Sequence, residues 1–232
     1  MNLRRIRTYA PLGTLVVVCS FSVLFAVQVA TSCESFIDPK GRSSIDFAPL
    51  SGLIDICSRD ELMCFLLMVD SPESRKTLAV FVSSEEWERS RKFEVIEHSR
   101  SMSVQRVDSM SIEKFKNAKD DVRKRAYVSD QNQPVGALQL KEDIPLGVVE
   151  EADDMISTAR LARLTPPTNE GLLKSVTTVS VLTLLRLKSE ILFLETTEQW
   201  MFPFYSGPEP SSESTKRLAK QWLDCIRDKN RN

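Results

Sequence analysis

Val176-Thr177-Thr178-Val179-Ser180-Val181-Leu182-Thr183-Leu184-Leu185-Arg186-Leu187, then Lys188-Ser189, then Glu190-Ile191-Leu192-Phe193-Leu194-Glu195-Thr196-Thr197-Glu198-Gln199, is the stretch that decides the fold. The first run is rich in Val, Thr and Leu, residues that fit a pleated surface. The centre of the second, Ile191 to Leu194, is apolar on both faces and predicts a central, buried strand. Lys188-Ser189 between them predicts a hairpin.

Working outward, Ile156 to Leu164 alternates apolar with polar residues as a strand does, and Thr165 to Gly171 reads as a turn. Beyond the hairpin, Pro203, Gly207, Pro208 and Pro210 end the sheet. Ser211 or Ser212 then caps a last helix with Leu218, Trp222, Cys225 and Ile226 on one side, spaced to pack on the sheet. Upstream, Ile112, Phe115, Lys119 and Val122 form a stripe that predicts a helix over 111–126. Residues 129 to 145 lack periodicity and hold two prolines and a glycine, so they read as a linker or loop. Thr77 to Val82 reads as a strand, and Ser83 to Glu86 has the spacing of a capping box opening a short helix. Phe93 to His98 and Met102 to Val107 each alternate, predicting two short, half-exposed strands. Leu53 to Val69 is apolar-rich and reads as partly helical.

The fold class expected is therefore α+β: an N-terminal membrane or signal helix, then one mixed domain with an antiparallel sheet and a packed C-terminal helix. The segments are 1–32, a signal peptide or single transmembrane anchor; 33–128, an N-terminal α+β part; 129–145, the linker or loop; and 146–232, the sheet plus the C-terminal helix.

Residues 1–32 carry the localisation argument. Arg4, Arg5 and Arg7 precede a nearly unbroken apolar run from Leu12 to Ala30, close to the length that crosses a bilayer. The arginines place the N-terminus inside. Uncleaved, the segment anchors the chain in the inner membrane with the C-terminal domain outside the cytoplasm. Cleaved after Ala30-Thr31-Ser32, it leaves a periplasmic protein. Ala30-Thr31-Ser32-Cys33 also approximates a lipobox, which would put lipid on Cys33. No Asn-x-Ser/Thr sequon occurs, which favours a bacterial envelope.

Past the segment stand four of the five cysteines, and an oxidising compartment makes disulfides the default. Cys57 and Cys64 are seven apart, and Cys225 on the last helix is expected to pair with one of them. A redox-active Cys-x-x-Cys is absent from the sequence.

Pro145-Leu146-Gly147-Val148-Val149-Glu150-Glu151-Ala152-Asp153-Asp154, the strand pair through Ile191-Leu192-Phe193-Leu194, and Ala219-Lys220-Gln221-Trp222-Leu223-Asp224-Cys225-Ile226 together resemble uncharacterised exported proteins of Gram-negative bacteria. The resemblance covers the C-terminal third. It implies export and an α+β domain, and carries over no activity and no catalytic residue.

Candidate chemistry is sparse. Ser111-Ile112-Glu113-Lys114 has the Ser-x-x-Lys spacing of penicillin-binding enzymes, and Ser129-Asp130-Gln131 partly matches their Ser-Asp-Asn. No Lys-Thr-Gly follows, so Ser111 reads as a helix N-cap. His98, the single histidine, stands without a second one to share a metal or a proton, and reads as an exposed strand residue. Glu150, Glu151, Asp153 and Asp154 lack the interleaved ligands and turn glycine of a calcium loop, and read as a solvated acidic loop. Trp200 to Tyr205 reads as an aromatic plug at the sheet end.

Charge is segregated: residues 89 to 125 hold 11 basic against 6 acidic side chains, and residues 141 to 170 hold 3 against 7. Such patches face different partners or each other. No catalytic residue, cofactor or metal site is assigned. The expectation is an exported or membrane-anchored envelope protein with a non-catalytic binding or accessory role. Its partners would be the membrane, through residues 1–32, and another envelope protein or polymer, not nucleic acid. An envelope hydrolase of unfamiliar type is the alternative.

Overall fold

The computed structural model describes residues 32–62, 64, 75–92, 94–107, 110–129, 134–135, 138–167, 171–208 and 210–231. The chain divides into two units, Met1–Ala30 and Thr31–Asn232. The first, and with it the expected membrane or signal helix, lies outside the described residues. Among the described residues no helix is long and apolar enough to cross a membrane.

The second unit is α+β. Its eight strands are β1 (Leu53–Asp55), β2 (Arg75–Ser83), β3 (His98–Val107), β4 (Pro134–Val135), β5 (Leu138–Ala152), β6 (Met155–Thr165), β7 (Ser175–Leu187) and β8 (Glu190–Phe202). They form one sheet in the order β1-β2-β3-β8-β7-β6-β5-β4, and every neighbouring pair is antiparallel. The expected hairpin joins β7 to β8. Its turn places Lys188 in the left-handed conformation that a tight two-residue connection requires. β8 lies centrally between β3 and β7, as its apolar centre predicts.

Two helices cover opposite faces of the sheet. Helix α3 (Ser212–Lys229), N-capped by Ser211, lays Trp222, Leu223, Cys225 and Ile226 on Phe81, Met102, Met155, Leu185, Leu192 and Leu194. Residues 32–50 wrap against this helix: Trp222 Nε1 donates to the Phe47 carbonyl at 2.8 Å, and Asn230 bonds both backbone groups of Asp46. Helix α2 (Ile112–Arg125), N-capped by Ser111, packs Phe115 on Ile156, Leu184, Ile191 and Phe193 of the other face. The short helix α1 (Ser84–Arg91) follows β2 through the complete Ser83/Glu86 capping box.

Four expectations are corrected. The segment read as a loop over 129–145 is strand β5 from Leu138 onward. Its Pro145 and Gly147 look like loop residues, but they sit where the pairing with β6 shifts register, near the sheet edge where proline is tolerated. Gly147 has a positive φ, a conformation that favours glycine, and Tyr127 packs against it. Of the two short strands read around residue 100, Met102 to Val107 belongs to β3, which starts at His98, is paired on both sides and is buried from Met102 to Gln105 rather than half-exposed, while residues 94–97 of the other are not strand. Phe93 lies outside the described residues. Leu53–Asp55, expected in a partly helical stretch, is an edge strand, with helical residues at Glu61, Leu62 and Cys64. Finally, Cys225 pairs with Cys33, and Cys57 with Cys64. Cys225 does tie the last helix to the N-terminal part, but through the cysteine read as a lipidation position. A sulfur in a disulfide is not free to carry a lipid thioether.

Candidate functional site

In β3 and β8 successive side chains point to opposite faces, so each strand presents two different surfaces. His98, Arg100, Met102 and Val104 share the α3 face with Trp200, Glu198, Thr196 and Leu194, their cross-strand partners. Ser99, Ser101 and Ser103 share the opposite face with Gln199, Thr197 and Glu195. On that second face α2 covers Phe193 and Ile191 but leaves the serine end open.

There the sheet floors a cleft of 340 Å³. Ser99, Ser101, Ser103, Glu195, Thr197 and Gln199, with Val80 and Val82 of β2 beside the serines, form the floor, while Ile56, Ile96 and Trp87 of α1 make an apolar wall. The floor is a lattice of polar groups about 5 Å apart across strands. Part of it is internally bonded: Thr197 Oγ1 lies 3.1 Å from Ser180 Oγ and donates to Glu195 at 3.3 Å. Ser103 is buried, yet its hydroxyl has no hydrogen-bond partner among the described residues. Burial pushes the Glu195 carboxyl up, and Thr197, Arg75 and Ser180 only partly oppose this. The Arg75 guanidinium lies 3.8 Å over the Phe193 ring and acts on Glu195 from the far end of the floor.

The α3 face carries a different cluster. Glu198, 1% exposed, accepts from Ser214 and Thr215 at the start of α3, each at 2.6 Å, and pairs with Arg100. His98 stacks on Trp200 with ring centroids 5.1 Å apart, and its Nε2 lies 3.6 Å from Glu198. His98 is thus half-buried rather than an exposed strand residue. Burial and Arg100 lower its pKa, against the pull of Glu198 and Glu86. The cluster fastens the start of α3 to the sheet. It also puts the only imidazole on the opposite face from the serines of the cleft.

The other residues singled out by sequence fall in structural roles. Ser111 caps α2, its hydroxyl accepting from Lys114 N. Trp200 is buried, and Tyr205 packs on His98 and Phe202. Glu150 and Glu151 end β5, and Asp153 and Asp154 make its turn into β6. The basic and acidic segments meet each other here. From α2, Arg123 and Lys119 reach Glu151, while from α3 Lys220 reaches Glu150 and Arg227 reaches Asp154. Hydrogen bonding from Arg123 lowers the Glu151 pKa. Glu150, Glu151 and Asp154 are therefore ion-paired to two helices rather than free in a loop, and no group of metal-ligand type assembles among the described residues.

Sequence reasoning missed the cleft. Its signal was present as hydroxyls at every second residue over Ser99, Ser101 and Ser103, facing Glu195, Thr197 and Gln199 at the same period. Starting the strand at Met102 hid that alternation, because it left Ser99 and Ser101 outside.

No protein-family model matches the chain, and no curated protein matches it. Among solved structures, the Ran-binding protein Mog1p of Saccharomyces cerevisiae is similar at 14% identity and a TM-score of 0.37, over 86% of this chain and 94% of that one. A mutant of Mog1 is similar at 15% identity and a TM-score of 0.36, over 85% and 94%. Likeness at this level carries no argument about ligand or activity, which rests on the cleft and its chemistry.

Proposed function

We propose that this chain is an exported envelope protein that acts by binding another envelope component rather than by catalysis. It is held at the inner membrane through residues 1–32 or released to the periplasm by cleavage there. The observation that carries the reading is the cleft itself. It offers hydroxyls and an apolar wall in the manner of a ligand site, while the only histidine, the usual base for a serine nucleophile, lies on the other face of the sheet. Two disulfides support an oxidising compartment.

The test is the intact mass of the native protein from membrane and soluble fractions, with and without reductant. Full-length chain in the membrane with both disulfides supports an anchored protein, and a product starting near Cys33 supports a processed one. Full-length chain in the cytosol with free thiols overturns the reading.

A further inference from the structure

Building on that reading of the chain as a binding protein, we propose that the serine cleft takes an uncharged carbohydrate, one or two sugar rings of an envelope glycan. Ser103 stands on the cleft floor with its hydroxyl unpaired among the described residues. Native proteins leave few buried hydroxyls unpaired, and this one lies in the cleft lining between Val80 and Glu195, beside Ser101. A ligand group at that point completes it.

The groups that line the floor also suit a sugar. Serine and threonine hydroxyls and the Gln199 amide each donate and accept, so they match sugar hydroxyls, which do the same. Ionised groups nearby are already engaged. Arg100 is paired with Glu198, and the Glu86 carboxylate accepts from the backbone N–H groups of Ser83 and Arg100. Arg75, at the far end of the floor, stacks on the Phe193 ring and acts on Glu195, so a phosphate or carboxylate beside the serines would meet no unengaged cation among the described residues of the cleft lining. Val82 and Ile96, both partly exposed in the cleft lining, offer the apolar contact that the C–H face of a sugar ring needs.

Carbohydrate suits this site better than peptide. An extended peptide gains affinity by adding to a free sheet edge, but β3 and β8 are central strands whose backbone groups are used by β2, by each other and by β7. Only side chains are offered. The cleft is at the small end of the range for ligand pockets, a size that suits a short saccharide.

Saturation-transfer NMR on the full, disulfide-bonded chain in detergent provides the test. The probes are glucose, N-acetylglucosamine and their disaccharides cellobiose and chitobiose at millimolar concentration, with glucuronic acid as the charged comparison. At least one neutral sugar should receive saturation. Ser103→Val should weaken its binding roughly tenfold. Ser101→Ala, at a second position on the floor, should weaken it too and covers the case in which Ser103→Val does not fold. Ser214→Ala, on the other face, should leave the Kd unchanged. Absence of transfer from every neutral sugar, tighter binding of glucuronic acid, or Kd values indifferent to both cleft variants overturns the inference. If wild-type and Ser101→Ala chains then still bind isolated envelope material equally well, the binding reading survives and only the carbohydrate assignment falls. If neither binds, both fall.

Discussion

Burial alone would raise the Glu198 carboxyl, but Ser214, Thr215 and Arg100 hold it below its ordinary value. A depressed carboxylate stabilises the fold above its unfolded pKa, and that contribution is lost as pH falls through the folded one. His98 adds a second acid-sensitive step. Its folded pKa is below the ordinary 6.5, so the unfolded chain takes the proton first and stability declines as pH drops from there toward the folded value. An NMR titration of His98 should give a midpoint below 6.5, moved upward by Arg100→Ala and further downward by Glu198→Gln. Glu195 behaves in the opposite sense. Its raised pKa gives stability below the unfolded carboxylate range that is lost as pH rises through the folded value. Glu195→Gln should therefore raise the Tm near neutral pH and change it little near about pH 4, as calorimetry at the two pH values would show. None of these environments was legible in the sequence, because each depends on a residue far along the chain that only the β3–β8 and β2–β3 pairings bring close.

Elements with their own local signal were read correctly. Both long helices follow from a 3.6-residue apolar stripe and a serine cap, and α1 from a capping box. Elements whose identity is set by neighbours were not. β5 carries proline and glycine that only its edge position and its bulges make tolerable, and β3 carries serines where a buried strand would be expected to carry valine. α3 is the element on which most of the tertiary structure converges, since Trp222 meets both the sheet and the wrapped segment 32–50. Trp222→Ala should cost about 3–5 kcal/mol in urea unfolding by emptying that position. Trp222→Phe should cost less, about 1–3 kcal/mol, mainly by leaving the buried Phe47 carbonyl without its donor.

For the whole molecule, class and connectivity separate. That the chain is α+β with a β7–β8 hairpin follows from local pattern. That β3 docks on β8, so that one sheet runs across the stretch read as a linker, does not, because no local pattern encodes a pairing of His98 with Trp200. The disulfide partner of Cys225 was illegible for the same reason. Four cysteines allow three pairings, and spacing favours none that spans nearly the whole domain.

The Cys33–Cys225 bond also fixes how the molecule answers to force. It joins residues 192 positions apart, and every strand of the sheet lies inside that ring. Tension applied at the two chain ends passes through the sulfur bridge and by-passes the sheet, so the oxidised protein should show no unfolding step from the ring when pulled in an optical trap. Adding reductant should release the whole contour of the ring, a hidden length on the order of several hundred ångströms for a chain extended to its full reach. In mechanical terms the domain is a closed loop clipped into the chain, shielded from load for as long as its clasp stays oxidised.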